Sequence, residues 1–356
     1  RQRSWDWVYV VVFEKKWRSE MKVLSISIAA YNVESTLKEC LDPFLKSTVL
    51  DELDIMIVDD GSGDHTTAIA QEYQELYPDT FRLIKKKNGG WGSTVNSGIK
   101  EARGVYFKQL DGDDYYEPEA LNKFIQYLKS EPSDLVISPY ITYDSETGKI
   151  ITTEDCNPGC DLLKKYLIKD IPEFAPFMHS LSIKTKLLQK GGVKVTEHCF
   201  YTDTEFVLKA CNQADSISFF DKPIYYYRRA AVGQSMSLSG FEKHYMEQYK
   251  VIEVSLDYLQ KNVSRPEIKK IYDKLLLGTC FWQYLIMFYI SVSKEHKNNL
   301  IKYDLMLNEK APFYYNQIHF KELDILRKTH FWGYSILASY KKKKDNRFTK
   351  DGKLTN

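Results

Sequence analysis

Four β-rich stretches in succession each run into a polar, acidic or glycine-rich cluster, and this repeated grammar constrains the fold more than any other feature of the chain. Val23–Ala29 leads to Tyr31-Asn32, and Leu53–Val58 to Asp59-Asp60-Gly61-Ser62. Residues 81–85 lead to NGGWGSTVNSG, and Val105–Leu110 to Asp111-Gly112-Asp113-Asp114. Helical patterns fill the intervals. Asn32 is positioned to cap a helix striped by Val33, Leu37, Leu41, Phe44 and Leu45, and further helices are expected over 65–76 and 94–102. Strand and helix alternating in this way predict an α/β fold with a mostly parallel central sheet and flanking helices. In such sheets ligands bind where strands end and loops begin, which is where the polar clusters fall.

Past residue 125 the alternation loosens. Leu135–Ser138 and Ile150–Thr153 read as further strands, and 160–240 mixes short helices with loops. From 241 onward the pattern is helical: Ser264-Arg-Pro-Glu267 has the form of a capping box, and Ile268, Ile271, Leu275, Trp282, Leu285 and Tyr289 follow at helical spacing. Residues 1–20 precede an initiator-like Met21 and are read as an extension without chemistry. The expected organisation is therefore an extension (1–20), two halves of one α/β domain (21–125 and 126–240), and a helical C-terminal region with a basic tail (241–356).

Trp7–Phe13 is too short to span a bilayer, and the apolar Leu275–Val292 is interrupted by Gly278, Thr279, Gln283 and Ser291, which favours a buried or interfacial helix. The tail KKKKDNRFTKDGK reads as a solvated terminus or, as a second reading, a segment drawn to an anionic membrane surface. Fifty Lys and Arg against 48 Asp and Glu leave a charge of +2, which excludes a global field for nucleic acid. Six scattered cysteines without a secretory leader pattern favour reduced thiols in the cytoplasm, and Cys156 and Cys160 lack the second pair a zinc site needs.

Asp111 and Asp113 share one face if the backbone stays extended, whereas Asp114 points elsewhere. Two such carboxylates repel unless a cation or sugar hydroxyls lie between them, and their hard oxygens suit Mg²⁺ or Mn²⁺. A calcium loop is excluded by Tyr115, Tyr116 and Asn122 at ligand, glycine and closing-Glu positions; a polar turn ending a strand is the plainer alternative. Asp59 or Asp60 has the chemistry to accept from a base imide or ribose hydroxyls, or simply to form a turn and helix cap. Thr66 replaces the third glycine of a dinucleotide fingerprint and no P-loop is present, so phosphate must be held by metal and side chains.

The ordered series SISIAAYN, IVDDGSGD, NGGWGSTVNSGIKEARG and YFKQLDGDDYYEPEAL resembles the motifs of family-two glycosyltransferases with the nucleotide-diphospho-sugar transferase (GT-A) fold, of the kind that assembles bacterial polysaccharides and glycans. The resemblance covers residues 21–125. It implies that Ala30 and Tyr31 line the base, that Asp60 or Asp59 hydrogen-bonds to it, that Asp111 contacts ribose or metal, and that Asp113 binds the metal. The family often carries arginine just before the asparagine of the glycine-rich segment, whereas Val95 precedes Asn96 here, so that contact must be lost or supplied elsewhere. FMHSLSIKTKLL and HCFYTDTEFVLKA resemble the acceptor-side segment, in which Asp203 takes the place of the catalytic base, with Thr202 before it and Glu205 as the fallback. A helix cap is the structural alternative for Asp203. Tyr225–Arg229 followed by Gln234-Ser235-Met236-Ser237 resembles a segment that closes over the diphosphate, with Arg228 or Arg229 neutralising it. His179 and Trp91 are weaker candidates for acceptor or sugar contacts.

The reading is a metal-dependent, inverting glycosyltransferase moving a sugar from a nucleotide-diphosphate sugar, expected to be a UDP-sugar, to a hydroxyl of a glycan, polymer or glycoprotein. A sugar nucleotidyltransferase would need glycine and arginine after the first strand, which AAYNVEST lacks. A non-catalytic nucleotide-sugar scaffold would have no need of Asp203. A third view makes the C-terminal region an oligomerisation or membrane-docking module.

Overall fold

The computed structural model describes residues 22–130, 133–229 and 237–344. The expectations for residues 1–20, for Gln234–Met236 and for the tail beyond Lys344 lie outside those residues.

Twelve strands form two sheets among the described residues: β1 (Leu24–Ala30), β2 (Leu53–Asp59), β3 (Phe81–Lys85), β4 (Tyr106–Asp111), β5 (Tyr115–Tyr116), β6 (Leu135–Ile137), β7 (Tyr140–Asp144), β8 (Ile150–Glu154), β9 (Lys165–Leu167), β10 (Leu181–Lys184), β11 (Ser216–Phe219) and β12 (Tyr225–Arg229). The large sheet runs β3-β2-β1-β4-β10-β6-β11-β9, and the small one β5-β12-β7-β8. Parallel pairing joins β3, β2, β1 and β4, and also β6 and β11. β10 is antiparallel to both of its neighbours. β2 is buried at every position, as a parallel strand covered on both faces must be, and this explains why LDIMIVD reads as nearly continuous apolar sequence rather than as alternation.

Two local expectations are corrected. Asn32 adopts a left-handed backbone (φ 51°) and caps nothing; the helix begins at Leu37, and its stripe of Leu37, Leu41 and Phe44 is buried as expected. Ser264 forms no capping box: the helix Pro266–Tyr289 starts on Pro266, whose missing N–H is no loss in a first turn.

One apolar core runs from Leu24 to Ala338. The helices Leu238–Asn262 and Pro266–Tyr289 pack on each other and on the helix Asp203–Cys211, so the C-terminal region is built onto the sheet domain. Among the described residues no helix is long and apolar enough to cross a membrane, and Leu275–Tyr289 instead belongs to that largely buried helix. All six cysteines are free thiols.

Candidate active site

The parallel register fixes the site. Ala30 of β1 pairs with Asp59 of β2, and Ala29 pairs with Asp111 of β4, so the three strand ends lie side by side. The Asp60 amide donates to the Ala30 carbonyl (2.9 Å) and the Gly112 amide to that of Ala29 (3.0 Å). Glycine is required at position 112, where a Cβ would lie 2.9 Å from the Ala29 oxygen. A cleft of about 590 Å³ opens over these tips, lined by Ala30, Tyr31, Asp60, Trp91, Asp111 and Asp113 among others.

The DGDD segment is a turn rather than extended chain. β4 ends at Asp111 and the Asp114 amide donates back to the Asp111 carbonyl (3.0 Å). Strand alternation therefore does not govern Asp113, although Asp111 and Asp113 do both line the cleft. Asp114 is buried and accepts from the Tyr225 hydroxyl and the Arg228 amide, each at 2.6 Å. The Arg228 guanidinium donates to the Asp113 carbonyl (2.6 Å) and pairs with Glu39, so it braces the turn. The Arg229 carbonyl accepts from Ser145 (3.0 Å), and neither arginine lines the cleft.

Burial pushes the Asp111 carboxyl up to about 7; the charge of Asp113 adds to this, the Trp91 indole N–H opposes it, and the charge of Asp203 raises it further. That indole bond is 2.7 Å long, so Trp91 orients Asp111. Burial also raises Asp203, against the opposing pull of the Thr204 amide and its own. His179 is pushed down to about 3 by burial and then by Lys108, whose buried ammonium donates to the carbonyls of His179 (2.8 Å) and Leu181 (3.3 Å). The His179 ring packs among Tyr140, Tyr225 and Tyr227, and its Nδ1 is buried without a hydrogen-bond partner. Ligand atoms of Asp111, Asp114 and His179 lie within 4.8 Å of one another. This oxygen-rich donor set with an orphaned imidazole nitrogen fits a divalent cation.

Asp60 organises the glycine-rich loop. Its carboxylate accepts from the amides of Gly89 (3.0 Å) and Gly90 (2.8 Å) and from Ser93 (3.2 Å), and pairs with Lys86 (2.5 Å). Asp59 is taken by the Ser62 amide (2.9 Å) and the Thr67 hydroxyl and does not line the cleft. Gly90 sits at φ 79°, and a Cβ on Gly92 would lie 2.1 Å from the Thr196 carbonyl oxygen, so these glycines serve close approach to the acceptor-side segment. Asn96, one turn on, grips that segment too: its amide donates to the Val195 carbonyl (2.9 Å) and Glu197 (3.0 Å) and accepts from the Val195 amide (2.8 Å). Asn96, which the resemblance to family-two glycosyltransferases places among the nucleotide-sugar contacts, does not line the strand-tip cleft and instead borders a separate pocket with Leu188 and Val193. Val95 is core. Glu205 is also corrected: it is buried, bound to the Thr196 amide (3.0 Å) and Lys209 (2.6 Å), and lines neither the strand-tip cleft nor the pocket that Asp203 borders.

The C-terminal region closes both sides of the site. Phe200, Lys243 and His244 line the strand-tip cleft, with Phe200 stacked on His244 at 3.8 Å between centroids. Nothing local in the sequence marks Lys243, because only the tertiary fold brings its helix over β1. A second pocket of about 420 Å³ is lined by Tyr201, Asp203, Phe177 and residues of the two long helices. His198 (φ 51°) and Tyr201 (φ 61°) hold left-handed backbone just before Asp203, a strained approach common where a side chain must be aimed.

Residues 25–187 match the family model described as Glycosyl transferase family 2. These residues form a family 2 glycosyltransferase domain. It is 28% identical to the putative glycosyltransferase EpsH of Bacillus subtilis over 72% of this chain and 75% of that protein. It is 28% identical to the poly(ribitol-phosphate) beta-glucosyltransferase of Bacillus spizizenii over 61% of this chain but 34% of that one. The structure of S. aureus TarS 1–349 in complex with UDP-GlcNAc superposes with a TM-score of 0.65 at 19% identity, covering 94% of this chain and 99% of that one. The chain has the GT-A fold.

Proposed function

We propose that the chain transfers a sugar from a UDP-sugar to a hydroxyl of a glycan, polymer or glycoprotein, with inversion and with a divalent cation. One observation carries the reading: the ends of β1, β2 and β4 bring Ala30, Asp60, Asp111 and Asp113 to one cleft that is also lined by Phe200, three residues before Asp203. Ala30, Tyr31 and Asp60 line the nucleotide end, and Trp91 holds Asp111. That TarS, of the same fold, binds UDP-GlcNAc supports the donor class.

Asp203 takes the proton of the acceptor hydroxyl as its oxygen bonds to the anomeric carbon, and the bond from that carbon to the diphosphate breaks with its electron pair leaving on the nucleotide. A single displacement inverts the centre. Asp111, Asp114 and His179 are the groups that would hold the cation, with Asp113 lining the cleft beside them and Tyr225 and Arg228 fixing Asp114 in place. When bound, a divalent cation supplies positive charge to the departing diphosphate. Incubating the chain with UDP-GlcNAc and Mn²⁺ tests this: an enzyme releases UDP slowly to water, whereas a scaffold binds and releases nothing.

The raised Asp111 carboxyl gives cation binding a pH dependence. Its proton is held more tightly in the folded chain than at its ordinary value of 3.8, so its contribution to stability is full below that value and lost as pH rises through about 7. A cation must displace that proton, and its affinity rises up to about pH 7. Mn²⁺ is expected to raise the melting temperature more at about pH 8 than at about pH 5.5. Equal shifts would contradict the assignment of Asp111 as a ligand.

Peripheral membrane contact is proposed for the C-terminal helix Tyr334–Lys344. Trp332, Ile336 and Tyr340 are 78%, 71% and 50% exposed, and Lys342, Lys343 and Lys344 are exposed beside them. Each lysine near an anionic surface contributes about 1 kcal/mol. The chain is expected to float with vesicles containing phosphatidylglycerol, to stay down with neutral ones, and to lose binding when the three lysines become glutamate; equal flotation with both vesicle types would argue against it.

A further inference from the structure

The helix Pro266–Tyr289 carries a glycine at its thirteenth residue, Gly278, that no packing requirement explains. Glycine is the least favourable residue in a helix interior after proline. It is kept where backbones must touch, as at Gly92, yet a Cβ built on Gly278 meets nothing within 4 Å. Gly278 lines the pocket of about 420 Å³ that also contains Asp203. Lys274, Leu275, Thr279 and Trp282 stand on the same stripe of the helix and line the same pocket. Opposite them are Phe177 and Tyr201 from the sheet domain, and Gln248 from the neighbouring helix. Gln248 is 5% exposed and its Oε1 has no hydrogen-bond partner. A buried amide oxygen without a donor is costly unless something fills the site. Lys274 donates only a long bond, 3.5 Å, to the Glu173 carbonyl.

From these features we infer that the C-terminal helices form the far wall of an acceptor subsite, and that Gly278 keeps it open for a unit of a polyhydroxylated, anionic chain. Aromatic faces stack against the C–H faces of a sugar or polyol, an amide and a hydroxyl accept or donate to its hydroxyl groups, and a lysine meets a carboxylate or phosphate. The subsite begins at Asp203, so its occupant continues from the hydroxyl that reacts. This inference rests on the glycosyltransferase reading and deepens it: the helical region selects the acceptor, while the strand tips take the donor. Two sources share the chemistry, a chain of acidic sugar rings and an open-chain polyol phosphate.

The test uses the full chain with two probes, a chondroitin hexasaccharide and a poly(ribitol phosphate) hexamer, read by calorimetry and by the fluorescence change that Trp282 contributes. Wild type is expected to bind one of them, and which one tells ring from open polyol. Gly278→Leu, which fills the pocket while removing a helix-weakening glycine, is expected to weaken that binding at least tenfold without lowering the melting temperature. Gln248→Leu is expected to weaken it as well, as a second variant that does not rely on Gly278. Binding of neither probe, or wild-type binding by both variants, would overturn the inference. Failure of the wild type to release UDP from UDP-GlcNAc would instead count against the glycosyltransferase reading, since probe binding is measured without donor.

Discussion

Asparagine at position 203 is expected to slow sugar transfer by about 10²–10⁴-fold while donor affinity is retained. The substitution keeps shape and one acceptor oxygen but removes the group that takes the hydroxyl proton. The helix-cap alternative makes a different prediction. The cap position belongs to Thr202, whose side chain makes no capping bond, and the Asp203 carboxylate accepts from amides of its own turn, which asparagine still satisfies in part. A cap alone would thus cost at most about 1 kcal/mol of stability and leave the rate near wild type. Because burial raises the Asp203 carboxyl, the acidic limb of kcat/KM is expected above the ordinary carboxylate value of 3.8. Single-turnover rates for wild type and Asp203→Asn, with donor titrated separately, decide between the two.

Asp60→Ala is expected to have the largest effect on stability of any change at the strand tips. The carboxylate is almost fully buried, and it gathers two loop amides, Ser93 and the Lys86 ammonium. Removing it leaves a mostly buried cation and two amides without acceptors. Breaking a buried pair in this way costs about 3–5 kcal/mol. The measurement is the denaturant midpoint at constant slope. The loss of donor affinity should accompany it, because the loop that Asp60 holds carries Asn88, Gly90 and Trp91 into the cleft. A shift below about 1 kcal/mol would show that the loop is held by its contacts to Val195 and Thr196 instead.

The strand tips were legible because a parallel sheet leaves a signature at each strand end: a buried run, then glycine and carboxylates. Asp111, Asp113 and Asp60 line one cleft in the structure, and Asp203 stands at the start of its helix on a neighbouring pocket. The errors share a physical cause. Asn96 and Glu205 carry the polarity of ligand contacts, yet each is consumed by the 195–197 segment, and which backbone a side chain meets across about a hundred residues leaves no local trace. Strand alternation puts Asp113 on the face of Asp111 and stops where the turn begins at Asp111, yet both residues line the cleft, as the resemblance implies. Lys243, His244 and Gly278 were invisible for the same reason as Asn96: their role comes from how two long helices settle onto the sheet. Asp114 reads as a third loop carboxylate, and only the approach of β12 shows it bound to Tyr225 and Arg228.

Crystals grown with UDP-GlcNAc and Mn²⁺, with anomalous data collected at the manganese edge, bear most directly on the shared cleft. The expected map has the manganese peak beside Asp111 and Asp114, uracil between Tyr31 and Asp60, and the anomeric carbon turned toward Asp203. Nucleotide bound away from the β1 and β4 tips, or a sugar whose anomeric carbon faces away from Asp203, would contradict the account.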